Sequence, residues 1–508
     1  MRACLLLLAL ALPARAQAPG IIRSNTRLVQ VNVVVRDHNG PVTGLTKNDF
    51  VLLDGKQPRT LALFDAETAV SRIPGAMPEL PRNVFVNSLQ RHAETPANVN
   101  VILFDALNTP VADLTYARRQ LAGFLATLKP DDAVALYWMG RSLTVLHDFT
   151  SDPRNLARMI ERYRNAGESL AEGPIEDMLA GANRGGPSAD LLTRVRLTTE
   201  ALDAVAQHVA LLPGRKNLIW ISASFPVVFA LDDAIGRAVR SLNAANVALY
   251  PIDARGLMVP PSFQASSADA AGASEGGAFD ASAALHAIDD PHRTMDDLAE
   301  RTGGRAFYNA SAIAAGVRRA IEDTQASYIL GFYPAEADVD GKYHELHVQI
   351  PGRKGLEIRA RRGYFAADPQ PLSEQAARDV TARAASGPLQ GSQIELAVHV
   401  DKSHKGSLVL DLLISARELT FLQKDDRYLG RILLGIVQLD KAKKVLDSVT
   451  DPIGLGLKQD KMDEYMQTGM SMARTVKSKT GVAELRIIVV DRTSGVYGSV
   501  IIPMADVE

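Results

Sequence analysis

The chain has 508 residues, which at roughly 150 residues per domain is enough for about three domains. Its apolar content of 46% and charged content of 22% are those of a folded globular protein, and a formal net charge of −2 excludes a general nucleic-acid binder, which needs a strong basic excess. The one cysteine, Cys4, excludes a disulfide framework and a thiolate metal site.

The first residues join Arg2 to an apolar core, Leu5 to Leu12, and to an Ala14-Arg15-Ala16 cleavage site. They predict a secretory signal peptide over residues 1–16, with a core too short to span a bilayer. Cys4 falls inside it and ahead of the apolar core, so it is not placed as a lipoprotein cysteine. The mature protein is expected to be secreted or periplasmic, with no membrane span.

Leu28 to Val35 alternates as a strand does, Asn39-Gly40 is a turn signal, and Phe50 to Leu53 and Thr60 to Phe64 read as further strands. These β-strands, residues 25–66, are too few to stand alone. Four prolines between residues 67 and 98 mark a linker.

The organising stretch is Val99 to Pro110. The unbroken run Val101-Ile102-Leu103-Phe104 reads as a strand buried on both faces, hence the middle of a parallel sheet, and it stops at Asp105. A helical stripe follows, carrying Leu114, Ala117, Leu121, Phe124, Leu125 and Leu128. Strands at Ala133–Met139, Leu143–Leu146, Asn217–Ser222, Val247–Ile252 and Arg305–Tyr308 alternate with helices at Pro153–Arg164, Thr193–Leu212, Leu231–Ala245, Arg293–Thr302 and Ser311–Gln325. Residues 166–192 and 258–290 read as long loops. The pattern predicts a doubly wound α/β domain over residues 95–326, with ligands expected at the carboxyl edge of its sheet.

β-signals return over residues 327–366, and pairing them with residues 25–66 would insert the α/β domain into a β-sandwich. After a linker from Ala366 to Gly391, six runs from Ile394 to Ile502 predict a second sandwich over residues 390–505. Met462 to Ser478 reads within it as a helix or long loop.

A strand ending in Asp105, the hydroxyl loop after it, the turn Lys129-Pro130-Asp131-Asp132, and Glu200 to Val205 in a long helix together resemble von Willebrand factor type A (VWA) domains. The segments NVVVRDHNGPVTGLTKNDFVLLDGKQ, ALYPIDARGL, LAERTGGRAFYN and SYILGFYP resemble secreted VWA-related proteins of the acidobacterial type. The resemblance covers about Gln30 to Phe365. It implies a Rossmann-like fold and a metal-ion-dependent adhesion site, in which Asp-x-Ser-x-Ser, a threonine and a further aspartate hold Mg²⁺ through oxygen. Asp105 and Thr109 match two of these positions. Leu107 stands where the first serine belongs, and the third loop reads Ser222-Ala223-Ser224 without an acid. Thr198 and Thr199 lie near the expected threonine, although the direct offset falls on Arg196. Asp253, ending the next strand, is the candidate replacement acid. The plainer alternative has Asp105 and Asn108 capping the following helix and satisfying loop amides.

Other constellations are weaker. His344 and His347 are three apart on a strand, not in the His-Glu-x-x-His helical spacing of a zinc protease. His147-Asp148 has no nucleophile in pattern, and Ser222 and Ser224 lack the glycines of a hydrolase elbow. The sequence thus predicts a non-enzymatic protein-interaction or adhesion module. Its partner would meet the edge formed by Asp105, Asn108, Thr109, Ser222 and Ser224, with a degenerate Mg²⁺ site at Asp105, Thr109 and Asp253. The rivals are an exported hydrolase using the same edge and an envelope component without a ligand.

Overall fold

The computed structural model describes residues 21–23, 28–68, 80–88, 99–128, 134–150, 153–163, 189–212, 214–223, 232–255, 291–308, 312–335, 340, 342–366, 371–402 and 406–508. The signal peptide, Ser224, the Lys129–Asp132 turn, most of the 166–192 segment and the 258–290 segment lie outside them. Among the described residues there are eight α-helices, and none is long and apolar enough to cross a membrane.

The N-terminal strands are β1 (Ile21–Arg23), β2 (Val29–Asp37), β3 (Gly40–Pro41), β4 (Val51–Asp54), β5 (Gln57–Arg59), β6 (Leu63–Thr68) and β7 (Val84–Val86). The α/β unit follows with β8 (Val99–Asp105), α1 (Val111–Leu125), β9 (Val134–Met139), β10 (Leu143–Thr150), α2 (Pro153–Arg162), α3 (Ala189–His208), β11 (Lys216–Ser222), α4 (Asp232–Ala244), β12 (Val247–Asp253), α5 (Pro291–Thr302) and α6 (Ala312–Gln325). Its five-stranded sheet runs β10-β9-β8-β11-β12, with β9, β8, β11 and β12 parallel and β10 antiparallel at the edge. Every residue of β8, β9, β11 and β12 is buried, as continuous apolar runs in a two-sided sheet must be. One face carries Val101 and Leu103 against Val195 and Val205 of α3 and Val239 and Leu242 of α4. The other carries Ile102 and Phe104 against Leu121 of α1, Ile160 of α2 and Val317 of α6. A parallel bridge from Ile252 to Phe307 is all that forms of the strand expected at Arg305–Tyr308.

Strands β13 (Ala326–Phe332), β14 (Tyr343–Gln349), β15 (Glu357–Arg359) and β16 (Gly363–Phe365) return to the first strands. β13 lies between β2 and β6, β15 pairs with β2, and β14 pairs with β4. Val31, Val33 and Val35 alternate on one face of β2 and pack with Tyr328, Leu330 and Phe332. From the opposite face Arg36 reaches Glu322 and Asp323 of α6. Buried Asp323 also accepts from Tyr250 Oη (2.7 Å) and Arg359 Nη2 (3.1 Å), so one carboxylate joins β2, β12, β15 and α6.

The rest of the chain is α7 (Glu374–Ser386), β17 (Leu396–Asp401), β18 (Ser407–Ile414), β19 (Thr420–Lys424), β20 (Arg427–Leu439), β21 (Val445–Leu457), α8 (Gln459–Thr468), β22 (Met470–Lys477), β23 (Glu484–Asp491) and β24 (Tyr497–Pro503). A six-stranded and a four-stranded sheet enclose one core, and each takes a strand from far upstream. β1 pairs with β19 and β7 pairs with β17. The proline-rich 67–98 stretch, read as linker, therefore supplies a sheet strand. The 366–391 stretch holds α7, whose N-cap Ser373 accepts from the Ala376 amide. Met462–Ser478 divides into α8 and β22 at Gly469, whose φ of +76° suits the residue that ends a helix.

Candidate functional site

Side chains on β8 alternate, so Asp105 shares its face with Leu103 and Val101, the face covered by α3. On β11, next in the sheet, Trp220 and Ser222 point the same way. Asp105 Oδ2 accepts from Trp220 Nε1 (3.0 Å), Ser222 Oγ (2.7 Å) and Asn108 Nδ2 (2.8 Å), while Oδ1 accepts from the Asn108 amide (2.9 Å). Asp105, Asn108, Thr109 and Ser222 are each 0% exposed.

Two residues four apart on α3 close the knot from above. Thr198 Oγ1 accepts from Asn108 Nδ2 (2.9 Å), and Arg194 Nε donates to Asn108 Oδ1 (3.1 Å). Thr199 instead bonds carbonyls of its own helix, and Arg196 pairs with Glu200 on the surface. Thr109 Oγ1 accepts from the Ala223 amide (3.0 Å), tying the loop after β8 to the end of β11. Helix α1 begins after Pro110 at the N-cap with no side-chain cap, so Asp105 and Asn108 do not cap it. Proline's fixed φ already suits a helix start, and of the two expected roles Asp105 keeps that of satisfying a loop amide, beside its three side-chain donors.

Burial pushes the Asp105 carboxyl up, against the donors from Asn108, Ser222 and Trp220 that favour its ionised form. Burial likewise pulls the Arg194 guanidinium down, opposed by Asp105 and Asp190.

Asp253 is not brought to this knot. It ends β12, two strands from β8, which at about 4.8 Å per strand is roughly 10 Å away. Its carboxylate accepts Arg255 Nε and Nη2 (both 3.0 Å) and the Arg255 amide (2.9 Å), and it lies 2.9 Å from His292 Nε2. Burial raises its pKa, but His292 and Arg255 outweigh this and hold it below the usual carboxylate value. Asp113 in the first turn of α1 feels this group. Burial and Asp253 raise its pKa, and Arg255 opposes them. Val111, two residues before it and 67% exposed, is the most exposed large apolar side chain among the described residues.

The donor set does not fit the Mg²⁺ expected at Asp105, Thr109 and Asp253. A hard cation takes six oxygen ligands in near-octahedral array. Here Leu107 offers none, an indole and an amide that only donate occupy the Asp105 oxygens, and the second acid lies across the sheet. Among the described residues no three acids, histidines or cysteines stand together as metal ligands would. The other singled-out groups are placed elsewhere. His147 Nδ1 lies against the Asp148 carbonyl, and Asp148 faces His208 (3.5 Å) and Tyr137 (3.1 Å). His344 turns inward to Asp54 (3.4 Å) and Asp340 (3.1 Å), while His347 faces out. Arg194 and Trp220 are knot residues that sequence reasoning missed; Trp220 was read only as part of an apolar strand, while Arg194 had a findable signal. The signal for Arg194 was a place on the apolar stripe of α3, one residue from Val195 and four from Thr198.

No protein-family model matches the chain, and no curated protein matches it. Similar solved structures include an aerotolerance-related membrane protein from Bacteroides fragilis, at 13% identity and a TM-score of 0.27, covering 44% of this chain and 98% of that one. Another is the conserved hypothetical protein BatB from Bacteroides thetaiotaomicron, at 14% identity and a TM-score of 0.24, covering 44% and 97%. A third is the vWF domain of the type V pili tip protein Mfa5 from Porphyromonas gingivalis, at 16% identity and a TM-score of 0.17, covering 26% and 43%.

Proposed function

We propose that the protein is an exported, secreted or periplasmic interaction module whose VWA-like α/β unit meets a protein partner at the carboxyl edge of its sheet. One observation carries this reading: the edge pairs a fully buried, cross-linked polar knot with an outward rim of mixed character. Asp105 and Asn108 are supports for the edge, not reagents. The rim offers exposed Val111 at the start of α1 and, two residues on, Asp113, which feels the charges of Arg255 and Asp253. An apolar contact together with partly desolvated charge is a composition by which proteins recognise proteins, and a hydrogen-bonded network beneath it keeps such a surface rigid.

The test is photo-crosslinking in the native envelope fraction, with the reactive group at Val111 and, as control, at Val445 on the C-terminal sandwich, which is 53% exposed. A discrete adduct from position 111, absent from position 445 and abolished by Asp113→Arg in the same chain, supports the reading. Equal or absent labelling at the two positions overturns it.

A further inference from the structure

We infer that the buried guanidinium of Arg194 takes the place of a divalent cation at this sheet edge, so that the Asp105 knot is a permanently metal-free version of an ion-binding site. The inference concerns the interior of the edge and stands whether or not a protein partner meets the rim.

Three separate features support it. Asp105 is fully buried, and a buried carboxylate needs a compensating positive charge. Arg194, itself 0% exposed, supplies one from α3 through Asn108, whose amide donates to Asp105 while its carbonyl accepts from Arg194. The second feature is the orientation of the donors. Trp220 Nε1 and Asn108 Nδ2 carry hydrogens and no free electron pair, and both aim at Asp105 Oδ2, while the Asn108 amide takes Oδ1, so each carboxylate oxygen faces an N–H donor. The third is Leu107, completely buried in the apolar core under α3, which fills with hydrocarbon a position where a ligand hydroxyl would otherwise stand. A cation entering here would meet a fixed positive charge, two opposed N–H donors and a leucine.

This assigns the side chains distinct duties. Asn108 is a relay whose two ends read the opposite charges of Asp105 and Arg194, and its amide orientation is set by them. Thr198 holds the relay by accepting its second hydrogen. Arg194 is a positioning residue for the edge: it fixes Asn108, and through Asn108 the loop that carries Thr109 and Pro110 toward α1.

The experiment is thermal unfolding and calorimetric titration of the purified full chain at neutral pH. Mg²⁺, Mn²⁺ and Ca²⁺ at millimolar concentration, and EDTA, are expected to leave the melting temperature unchanged and to give no binding heat. A stabilisation by any of these ions that disappears in Asp105→Asn overturns the inference. A cycle of variants tests the charge directly. Arg194→Met and Asp105→Asn each remove one side of the attraction between the two groups, so the double variant should melt above the value obtained by adding the two single shifts. Arg194→Lys, which keeps the charge, should melt closer to the wild type than Arg194→Met. Strict additivity, or equal melting of the lysine and methionine variants, overturns the inference. If Arg194→Met does not fold, Arg194→Lys should still fold and melt near the wild type; a lysine variant that also fails to fold overturns the inference.

Discussion

Asn108 Nδ2 lies 2.8 Å from Asp105 Oδ2 and 2.9 Å from Thr198 Oγ1, so a single amide nitrogen joins the central strand of the sheet to the helix above it. Replacing it with alanine removes both bonds and the acceptor for Arg194 Nε, so Thr198 Oγ1 and Arg194 Nε each lose a buried bond while Asp105 Oδ2 keeps Trp220 and Ser222. At about 1–3 kcal/mol for each such group, more for charged ones, Asn108→Ala should lower the unfolding free energy by about 3 kcal/mol or more. Urea denaturation measures this. A change under about 1 kcal/mol would mean that the knot is not a support.

Asp323 is the matching test at the other end of the α/β unit. It accepts from Arg36, Tyr250 and Arg359, which come from both the sandwich and the inserted sheet. Removing one member of a buried charge network costs about 3–5 kcal/mol. Asp323→Ala should therefore destabilise by that amount and should separate the unfolding of the sandwich from that of the α/β unit. Calorimetry would show this as one transition becoming two.

Gly304 follows α5 where the chain passes against β12. A Cβ there would stand 1.8 Å from the Leu249 carbonyl oxygen, which is backbone and cannot rotate away. Gly304→Ala should lower stability strongly. Gly352→Ala, where nothing lies within 4 Å, should show only the smaller penalty of its positive φ of +82°. Comparing the two melting temperatures separates crowding from backbone conformation.

His344 supplies a pH signature. The hydrogen bond to Asp340 raises its pKa above the ordinary 6.5; burial opposes the shift and Asp54 adds to it. Because the folded value is the higher one, its stabilisation is complete below pH 6.5 and is lost as pH rises through the folded value. Asp340, held down to about 2 chiefly by the same bond, contributes above pH 3.8 and fades as pH falls toward 2. The stability difference between wild type and His344→Gln should therefore be greatest between about pH 4 and 6 and shrink on the alkaline side. A difference that grows with alkalinity would contradict this.

The legible parts of the chain were those where one physical demand sets every residue. Val101 to Phe104 is apolar without alternation because the strand is covered on both faces, and Asp105 ends it because the strand leaves the sheet there. The knot was half legible. Asp105, Asn108, Thr109 and Ser222 sit at strand ends and in a short loop, where polar residues stand out. Arg194 did not stand out, because an arginine in a helix reads as solvent-facing unless its phase against Leu191, Val195 and Thr198 is counted. Asp253 was drawn to the site by its position on a neighbouring strand, while Arg255, two residues on, held its charge locally. Strands β1 and β7 are three residues each, too short for any period to register.

Those two short strands also bear on how the chain reaches its final form. Ile21 finds its partner Leu422 about 400 positions downstream, a loop closure of the kind that slows folding. Synthesis delivers β1 and β7 long before β17 and β19 exist, so the early segments wait while the α/β sheet, built from nearer pairings, takes shape. The last sandwich acts as a clasp. A chain stopped before residue 396 would leave both early strands with open edges, exposed to proteolysis and to mispairing with other chains. Resistance of the N-terminal segment to protease would then report that synthesis had reached the far end.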